Sequence, residues 1–387
     1  MSYFRGKKAM NDETVALCAL NKVFGYTPIL AHKLISSYGS ASAVFNGPAP
    51  EIPEHPELAE QITPSLLDWA SRELAAVGDC GGRFIPIGDD DYPSALLECE
   101  DAPLGLYIKA TSSPAEIFSM RPMVGIVGTR DVSPYGSICC KRIVAALADA
   151  PVKPCIVSGL AFGVDGIAHT SALEHGLTTI GVMATGIEKV YPWQHLDLAR
   201  RIVDTPGSAL VTDYPLYTSP VALNFVRRNR IIAGLASYVT VIETRKKGGS
   251  LMTARYACDY NRDVFAVPGR LDDVRSSGCN SLISSHMAEI VTSPEELVES
   301  LGLQPRHRLR RDRRATYARA LEEHYKGNST RSAVGLCVFD NPGVGFAEIA
   351  GLTSIPYPTV LESAGILEAD GFIITDILQR CTTGGKW

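Results

Sequence analysis

Apolar positions change rhythm twice along the chain. Up to about residue 78 they fall at helical spacing in three short stretches, Glu13–Val23, Ile29–Ser37 and Ser65–Val77, broken by Gly-Tyr-Thr-Pro, Tyr-Gly-Ser and the proline-rich Pro48–Pro56. That spacing, punctuated by such breakers, predicts a small helical domain. From Met123 the apolar residues form unbroken β-branched runs: Met123–Val127, Cys155–Ser158, Thr179–Met183, Ala209–Thr212, Tyr238–Glu243 and Val264–Val267. Runs without alternation suit strands covered on both faces. Their repeat of roughly 25 to 30 residues is that of βαβ units, which predicts a parallel sheet with helices between its strands. Ser293-Pro294-Glu295-Glu296 supplies an N-cap, a proline at the first helical position and a glutamate at the third, and predicts a last helix running to about Leu301.

The second change follows Gln304–Arg314, where six of eleven residues are arginine; the stretch reads as a solvated basic linker, with nucleic-acid affinity as the alternative. Beyond it, Phe346–Ala350 and Thr359–Ala369 have the spacing of short amphipathic helices joined by Gly351-Leu352-Thr353-Ser354-Ile355-Pro356, and Phe372–Thr375 reads as a strand. This is the outline of a helix-turn-helix with a wing. The predicted organisation is a helical domain over 1–78, a core over 79–302, a basic linker over 303–328 and a winged-helix-like domain over 329–387. The core is of α/β class, with a Rossmann-like, doubly wound, mostly parallel sheet.

Composition fits several cores in one chain of 387 residues, 45% of them hydrophobic. No uncharged apolar run reaches the ~18 residues of a membrane span, and Met1–Met10 carries basic residues with no apolar segment behind it. A soluble cytoplasmic protein without membrane association is expected. The ten cysteines are scattered apart from Cys139-Cys140, with no C-x-x-C pair and no His/Cys cluster at metal spacing; they read as reduced core residues, and no metal or cofactor is expected.

A formal net charge of −5 argues against a nucleic-acid partner if the chain is taken as one object. The average conceals an asymmetry. Residues 50–119 carry 14 acidic against 3 basic side chains, and residues 224–275 carry 10 basic against 5 acidic. The positive stretch lies among glycine-rich turns.

The first predicted strand runs into Gly128-Thr129-Arg130, and Ser133-Pro134 opens the following helix. A glycine at a strand end admits close backbone approach, a helix N-terminus presents unpaired N–H groups, and an arginine adds a planar donor fork, so the turn suits an anionic oxygen; a plain tight turn at Gly128 is the alternative. The dinucleotide fingerprint G-x-G-x-x-G and the Gly-Lys-Ser/Thr of a P-loop are absent. A second turn, Ser158-Gly159-Leu160-Ala161-Phe162-Gly163-Val164-Asp165-Gly166, ends the next strand, with Asp165 placed to cap the helix that carries His169. His169 has no nucleophile in context and reads as a buried, hydrogen-bonded histidine. Since ligands of open α/β sheets bind at the carboxyl ends of strands, both turns are expected to line one crevice.

Further on, Lys189, Tyr191 and Trp193 place a cation beside aromatic faces, as stacking on unpaired bases requires, with partly buried loop anchors as the alternative. Arg227 and Arg228 are candidates for phosphate contact, whereas Arg230 is placed for an internal ion pair with Asp213 or Glu243. Arg245-Lys246-Lys247-Gly248-Gly249-Ser250 brings three cations, two glycines and an N-cap serine to a helix start, a second anion cradle unless it is merely a solvated basic loop.

Gly128-Thr129-Arg130 with Ser133, Tyr135 and Gly136, then Ser158-Gly159-x-Ala161-x-Gly163-x-Asp165 with Ala168-His169, then Arg228-Asn229-Arg230-Ile231-Ile232-Ala233-Gly234, then Val264-Phe265-Ala266-Val267-Pro268-Gly269 with Gly278, Asn280, Leu282 and Ile283, resemble the DNA-processing protein A (DprA/Smf) family. The resemblance covers the core best and reaches upstream to Tyr92-Pro93 and Leu96; Val226 stands where the family usually has proline, and His195 where it usually has asparagine. It implies a homodimeric binder of single-stranded DNA without sequence preference, which helps to load the RecA recombinase during natural transformation and catalyses nothing. It also implies that the N-terminal helices are a small SAM/HhH-like domain. The family's phosphate-holding turn falls on Gly128, Thr129 and Arg130, and its crevice lining on Ser158, Gly159, Lys189, Gly249 and Ser250; Tyr191, Arg227 and Lys247 complete the DNA-binding set expected from the residues themselves.

Two rival classes share features of the chain. A phosphoribohydrolase of the lysine-decarboxylase-like (LOG) type carries P-G-G-x-G-T-x-x-E after a strand, but here Lys247-Gly248-Gly249-Ser250-Leu251-Met252-Thr253 is followed by Ala254 and Arg255, without the carboxylate that catalysis at a sugar needs. A transcription factor reading duplex DNA through the C-terminal unit is the other.

Overall fold

A computed structural model of the protein describes residues 12–119, 122–303, 306–376 and 379–384, with backbone only for 306–313. The first eleven residues of the expected N-terminal domain and residues 304–305 of the expected linker lie outside them. The chain divides into two compact units, Met1–Leu303 and Gln304–Trp387.

The first unit is built on a nine-stranded sheet among the described residues: β1 Gly82–Pro86, β2 Gly105–Lys109, β3 Met123–Val127, β4 Cys155–Ser158, β5 Thr179–Val182, β6 Ala209–Thr212, β7 Tyr238–Val241, β8 Asp263–Ala266 and β9 Glu289–Ile290. They lie in the order β1-β2-β6-β5-β4-β3-β7-β8-β9. From β6 to β9 every pairing is parallel, and β1 and β2 add an antiparallel edge. The six strands expected from the apolar runs are present to within two residues. Along β3 the side chains alternate between two cores: Met123 and Val127 join the layer beneath the helices Ala222–Leu235 and Ser250–Asp259, while Val124 and Ile126 join that beneath Pro134–Asp149 and Val164–Glu174. Chain order reverses between β3 and β7, so the carboxyl ends of those neighbours form the switch point where open α/β sheets bind ligands.

Helix starts follow the local chemistry of the sequence. Ser133 accepts from the Gly136 N–H at 3.0 Å and Ser293 from the Glu296 N–H at 3.1 Å, each just before a proline. Asp165 departs from expectation. Gly163, at φ +76°, is the cap of the helix Val164–Glu174, and Asp165 lies inside its first turn. A side chain at 163 would also collide with the Thr129 carbonyl oxygen, 2.3 Å from where a Cβ would stand.

The N-terminal helices Asp12–Phe24, Pro28–Tyr38 and Pro64–Asp79 bury Leu17, Leu20, Phe24 and Ala70 in one cluster with Tyr107 of β2, Ile187 and Leu216. Asn21 donates to the Asp213 carbonyl at 2.8 Å, and Glu73 accepts from the Leu216 N–H at 2.6 Å. The expected boundary at residue 78 therefore runs through a continuous core.

In the second unit, the stretch read as a linker is the helix Arg306–Tyr325. Tyr317 and Leu321, one helical turn apart, are fully buried with Val338, Ile349, Val360 and Leu367. Among the described side chains the helix's apolar residues Tyr317, Ala320, Leu321 and Tyr325 crowd the C-terminal half, behind the arginine-rich stretch that gave the segment its charged character. The helices Ser329–Asp340, Phe346–Thr353 and Tyr357–Ala369 follow, with an antiparallel sheet of β10 Val344–Gly345, β12 Arg380–Thr383 and β11 Ile373–Thr375, in that order.

Candidate functional site

At the switch point a cleft of about 640 Å³ opens between the turn after β3, the turn after β7 and the helix Ala222–Leu235. Gly128, Thr129, Arg130, Tyr191, Lys247, Gly249 and Ser250 line it together with Arg228, so seven of the eleven residues expected in the site, or eight with the buried neighbour Gly159, come together. The turn after β3 must be glycine at 128: a Cβ there would lie 2.5 Å from Val164 Cγ2. Backbone pairing holds the two turns side by side, with the Thr129 N–H donating to the Glu243 carbonyl at 2.7 Å. Beneath them the buried Glu243 carboxylate accepts from the Ser133 N–H at 2.8 Å.

Arg130 is exposed, and its guanidinium lies 4.8 Å from the Phe225 ring centroid. Phe225 in turn packs on Tyr191 at 5.4 Å. Cation and rings form one wall that offers both charge and a stacking face. Lys247 is exposed on the opposite turn, and Arg245 beside it is paired with Asp131 at 3.3 Å. Among the described residues neither Arg130 nor Lys247 has a carboxylate in salt-bridge range.

Arg228 lines the cleft as a buried side chain held by backbone carbonyls and not as an exposed cation. It is 3% exposed, and its guanidinium donates to the carbonyls of Gly159, at 2.5 Å, and Val182. Burial pulls its pKa down to about 10 despite the Asp165 carboxylate nearby, and burial likewise raises the pKa of Asp165 against the opposing pull of Arg228. Gly159 belongs to this packing: a Cβ there would lie 2.5 Å from Arg228 Nη2 and 2.6 Å from Asp165 Oδ2. Ser158 is fully buried and donates to the Ile126 carbonyl at 2.6 Å. The second glycine-rich turn is thus largely turned inward. His169 is buried as expected; its Nε2 accepts from the Leu160 N–H at 3.3 Å and its Nδ1 lies 2.7 Å from Thr179 Oγ1. Burial, with His195 and Arg228 adding to it, lowers its pKa to about 3.

Lys189 is exposed but outside the cleft, and Arg227 turns away to donate to the Tyr26 carbonyl and lie 4.9 Å over the Tyr26 ring. Arg230 pairs with Asp213 at 2.5 Å, one of its two expected partners. Ser250 is the first helical residue and Gly249 the cap, the reverse of the expected N-cap serine. Trp193 stands 75% exposed instead of anchoring its loop.

The sequence reading missed Phe225, Asn229, Thr244 and Thr253. Phe225, Val226, Arg228, Asn229 and Ile232 line the cleft from one helix at offsets of three, four and seven residues, and that periodicity is the signal that separates Arg228 from Arg227. Asn229 Nδ2 donates to the Gly249 carbonyl at 3.2 Å and ties this helix to the turn after β7.

The model of the DNA recombination-mediator protein A family matches residues 83–302, more than half of the chain. The chain belongs to that family. Among its relatives are protein Smf of Escherichia coli, 39% identical over 219 residues that make up 57% of this chain and 56% of that one, and protein Smf of Synechocystis, 40% identical over 58% of this chain and 55% of that one. The chain thus spans little more than half the length of these curated relatives. It also matches the DNA processing protein DprA of Bacillus subtilis, at 37% identity over 62% of this chain and 77% of that one. The crystal structure of DNA processing protein A from Streptococcus pneumoniae superposes with a TM-score of 0.58 at 28% identity, covering 75% of this chain and 98% of that one. DNA processing protein A from Helicobacter pylori, described for its single-stranded DNA binding mode, matches with a TM-score of 0.50 at 27% identity, over 56% of this chain and 95% of that one. The matched span, 83–302, contains every residue that lines the cleft. Among its described residues no helix is long and apolar enough to cross a membrane.

Proposed function

We propose that the protein binds single-stranded DNA without sequence preference through the cleft at the β3–β7 switch point, and acts by holding the strand, not by catalysis. The observation that carries this reading is the convergence of exposed Arg130 and Lys247 on a cleft walled by Phe225 and Tyr191. Cations without carboxylate partners attract a phosphate backbone regardless of sequence, and ring faces accept any unpaired base. The single-strand binding named for the Helicobacter pylori relative supports the same reading. The Asp165 carboxyl in the cleft wall accepts from the Ala161 N–H at 3.4 Å and lies in the field of Arg228, which fits a part in the wall better than that of the general acid or base of a phosphoribohydrolase.

In this reading the protein takes part in DNA processing during transformation, works in the cytoplasm as a homodimer and helps to load RecA on the strand it holds. The N-terminal helices correspond to a SAM/HhH-like domain, and the second unit to a winged-helix-like domain. A gel-shift series with single-stranded and duplex oligonucleotides over a salt titration tests the core of it. Retardation of single strands of any sequence, weakening steeply with salt, is expected. Preference for one duplex sequence would favour a regulator, and release of ribose phosphate from nucleoside monophosphates would favour the hydrolase.

A further inference from the structure

We propose that the inner end of the cleft, at the start of the helix Ser250–Asp259, is a seat for a phosphate monoester, the terminal phosphate of a single strand or of a free mononucleotide. The proposal rests on the reading of the cleft as a single-strand site and narrows it. Ser250 and Thr253 both line the cleft and are 8% and 1% exposed, and neither hydroxyl has a hydrogen-bond partner. Arg228, on the facing helix and 3% exposed, has an Nε that is likewise unpartnered. A buried polar group left alone costs on the order of 1–3 kcal/mol, so three lining one cleft point to a ligand that satisfies them.

The backbone adds to the same seat. The N–H groups of Leu251 and Met252 are spent on the carbonyls of Gly248 and Gly249, whereas among the described residues no acceptor takes those of Gly249 and Ser250. Space is available there, since a Cβ on Gly249 would meet nothing within 4 Å. The donors are thus two hydroxyls, one guanidinium N–H and two amides. A phosphodiester offers this set two non-bridging oxygens and one charge. A monoester presents a third oxygen and a charge of about −1.5 to −2, which a helix N-terminus favours. Asp165, the acidic side chain in the lining, lies against Arg228, and Lys247 and Arg130 stand at the rim without carboxylate partners.

The test is an anisotropy titration of the full chain with one oligothymidylate in four forms: 5′-phosphorylated, 3′-phosphorylated, hydroxyl-ended and circular. Competition by thymidine monophosphate against thymidine runs alongside. At least one phosphorylated linear form is expected to bind about tenfold tighter than the hydroxyl-ended form, the value of one charge-assisted hydrogen bond. Which form gains identifies the end, and competition by the monophosphate but not the nucleoside identifies a free nucleotide as a further source. Thr253→Val is expected to erase the difference. Equal binding of the phosphorylated and hydroxyl-ended oligonucleotides, with the monophosphate no better a competitor than the nucleoside, overturns the seat while the single-strand reading stands. Failure to bind any of the four overturns that reading itself.

Discussion

The glycine-rich turns after β4 and after β7 read alike in the sequence and do opposite things in the fold. In the turn at 245–250, Gly249 leaves the cleft open, and Lys247 beside it faces solvent, as does Arg130 across the cleft. Around 158–166 the space left by glycine is filled by the protein itself: Gly159 makes room for the Arg228 guanidinium and the Asp165 carboxylate, and Gly163 for the Thr129 carbonyl. A missing Cβ marks close approach, and only the identity of what approaches separates a binding turn from a structural one.

The sharpest way to break this comparison is to add a methyl group to each turn. Gly159→Ala must displace a buried, hydrogen-bonded arginine and should cost about 2–3 kcal/mol in urea unfolding. Gly249→Ala meets open space and should cost less than about 1 kcal/mol, the scale of a cap substitution. Equal losses would erase the distinction between the turns.

The buried turn also carries a pH signature. The folded pKa of His169, about 3, lies below its unfolded value of 6.5, so its contribution is complete above pH 6.5 and is lost as the pH falls toward 3. Stability should drop by about 2 kcal/mol between pH 6.5 and 5 through this residue alone. His169→Asn, less stable throughout, should flatten that slope; an unchanged slope would show that another group is responsible.

On the open side the effects are on binding. Arg130→Ala and Lys247→Ala should each weaken every single-stranded sequence by about tenfold and lower the salt slope by about 0.7, the share of one phosphate contact on a single strand. Arg227→Ala, which alters only the contact with Tyr26, should change affinity by less than about twofold, within the range of a residue away from the interface.

How much of this could be read from the chain follows from what each element depends on. The central strands were visible because burial on both faces leaves unbroken apolar runs such as Met123–Val127, and the caps Ser133 and Ser293 because their hydrogen bonds are local. The edge strands β1 and β2 were not: Gly82–Pro86 contains Arg83, Gly105–Lys109 ends on a lysine, and what fixes them is antiparallel pairing with each other and with β6. The helix Arg306–Tyr325 was hidden because the arginine run at its start masked the apolar stripe of Tyr317, Leu321 and Tyr325 that follows. In the cleft, residue types and strand-end positions located Gly128, Arg130, Lys247 and Ser250. The inward turn of Ser158 and the outward turn of Arg227 depend on tertiary neighbours, Ile126 and Tyr26, that lie distant in sequence.

The most direct test of the cleft is a salt titration of single-strand affinity for the unaltered protein and Arg130→Ala side by side. Two lines with slopes differing by about 0.7, the variant weaker on every sequence tried, are the predicted result. Superimposed lines would mean that the strand is held elsewhere.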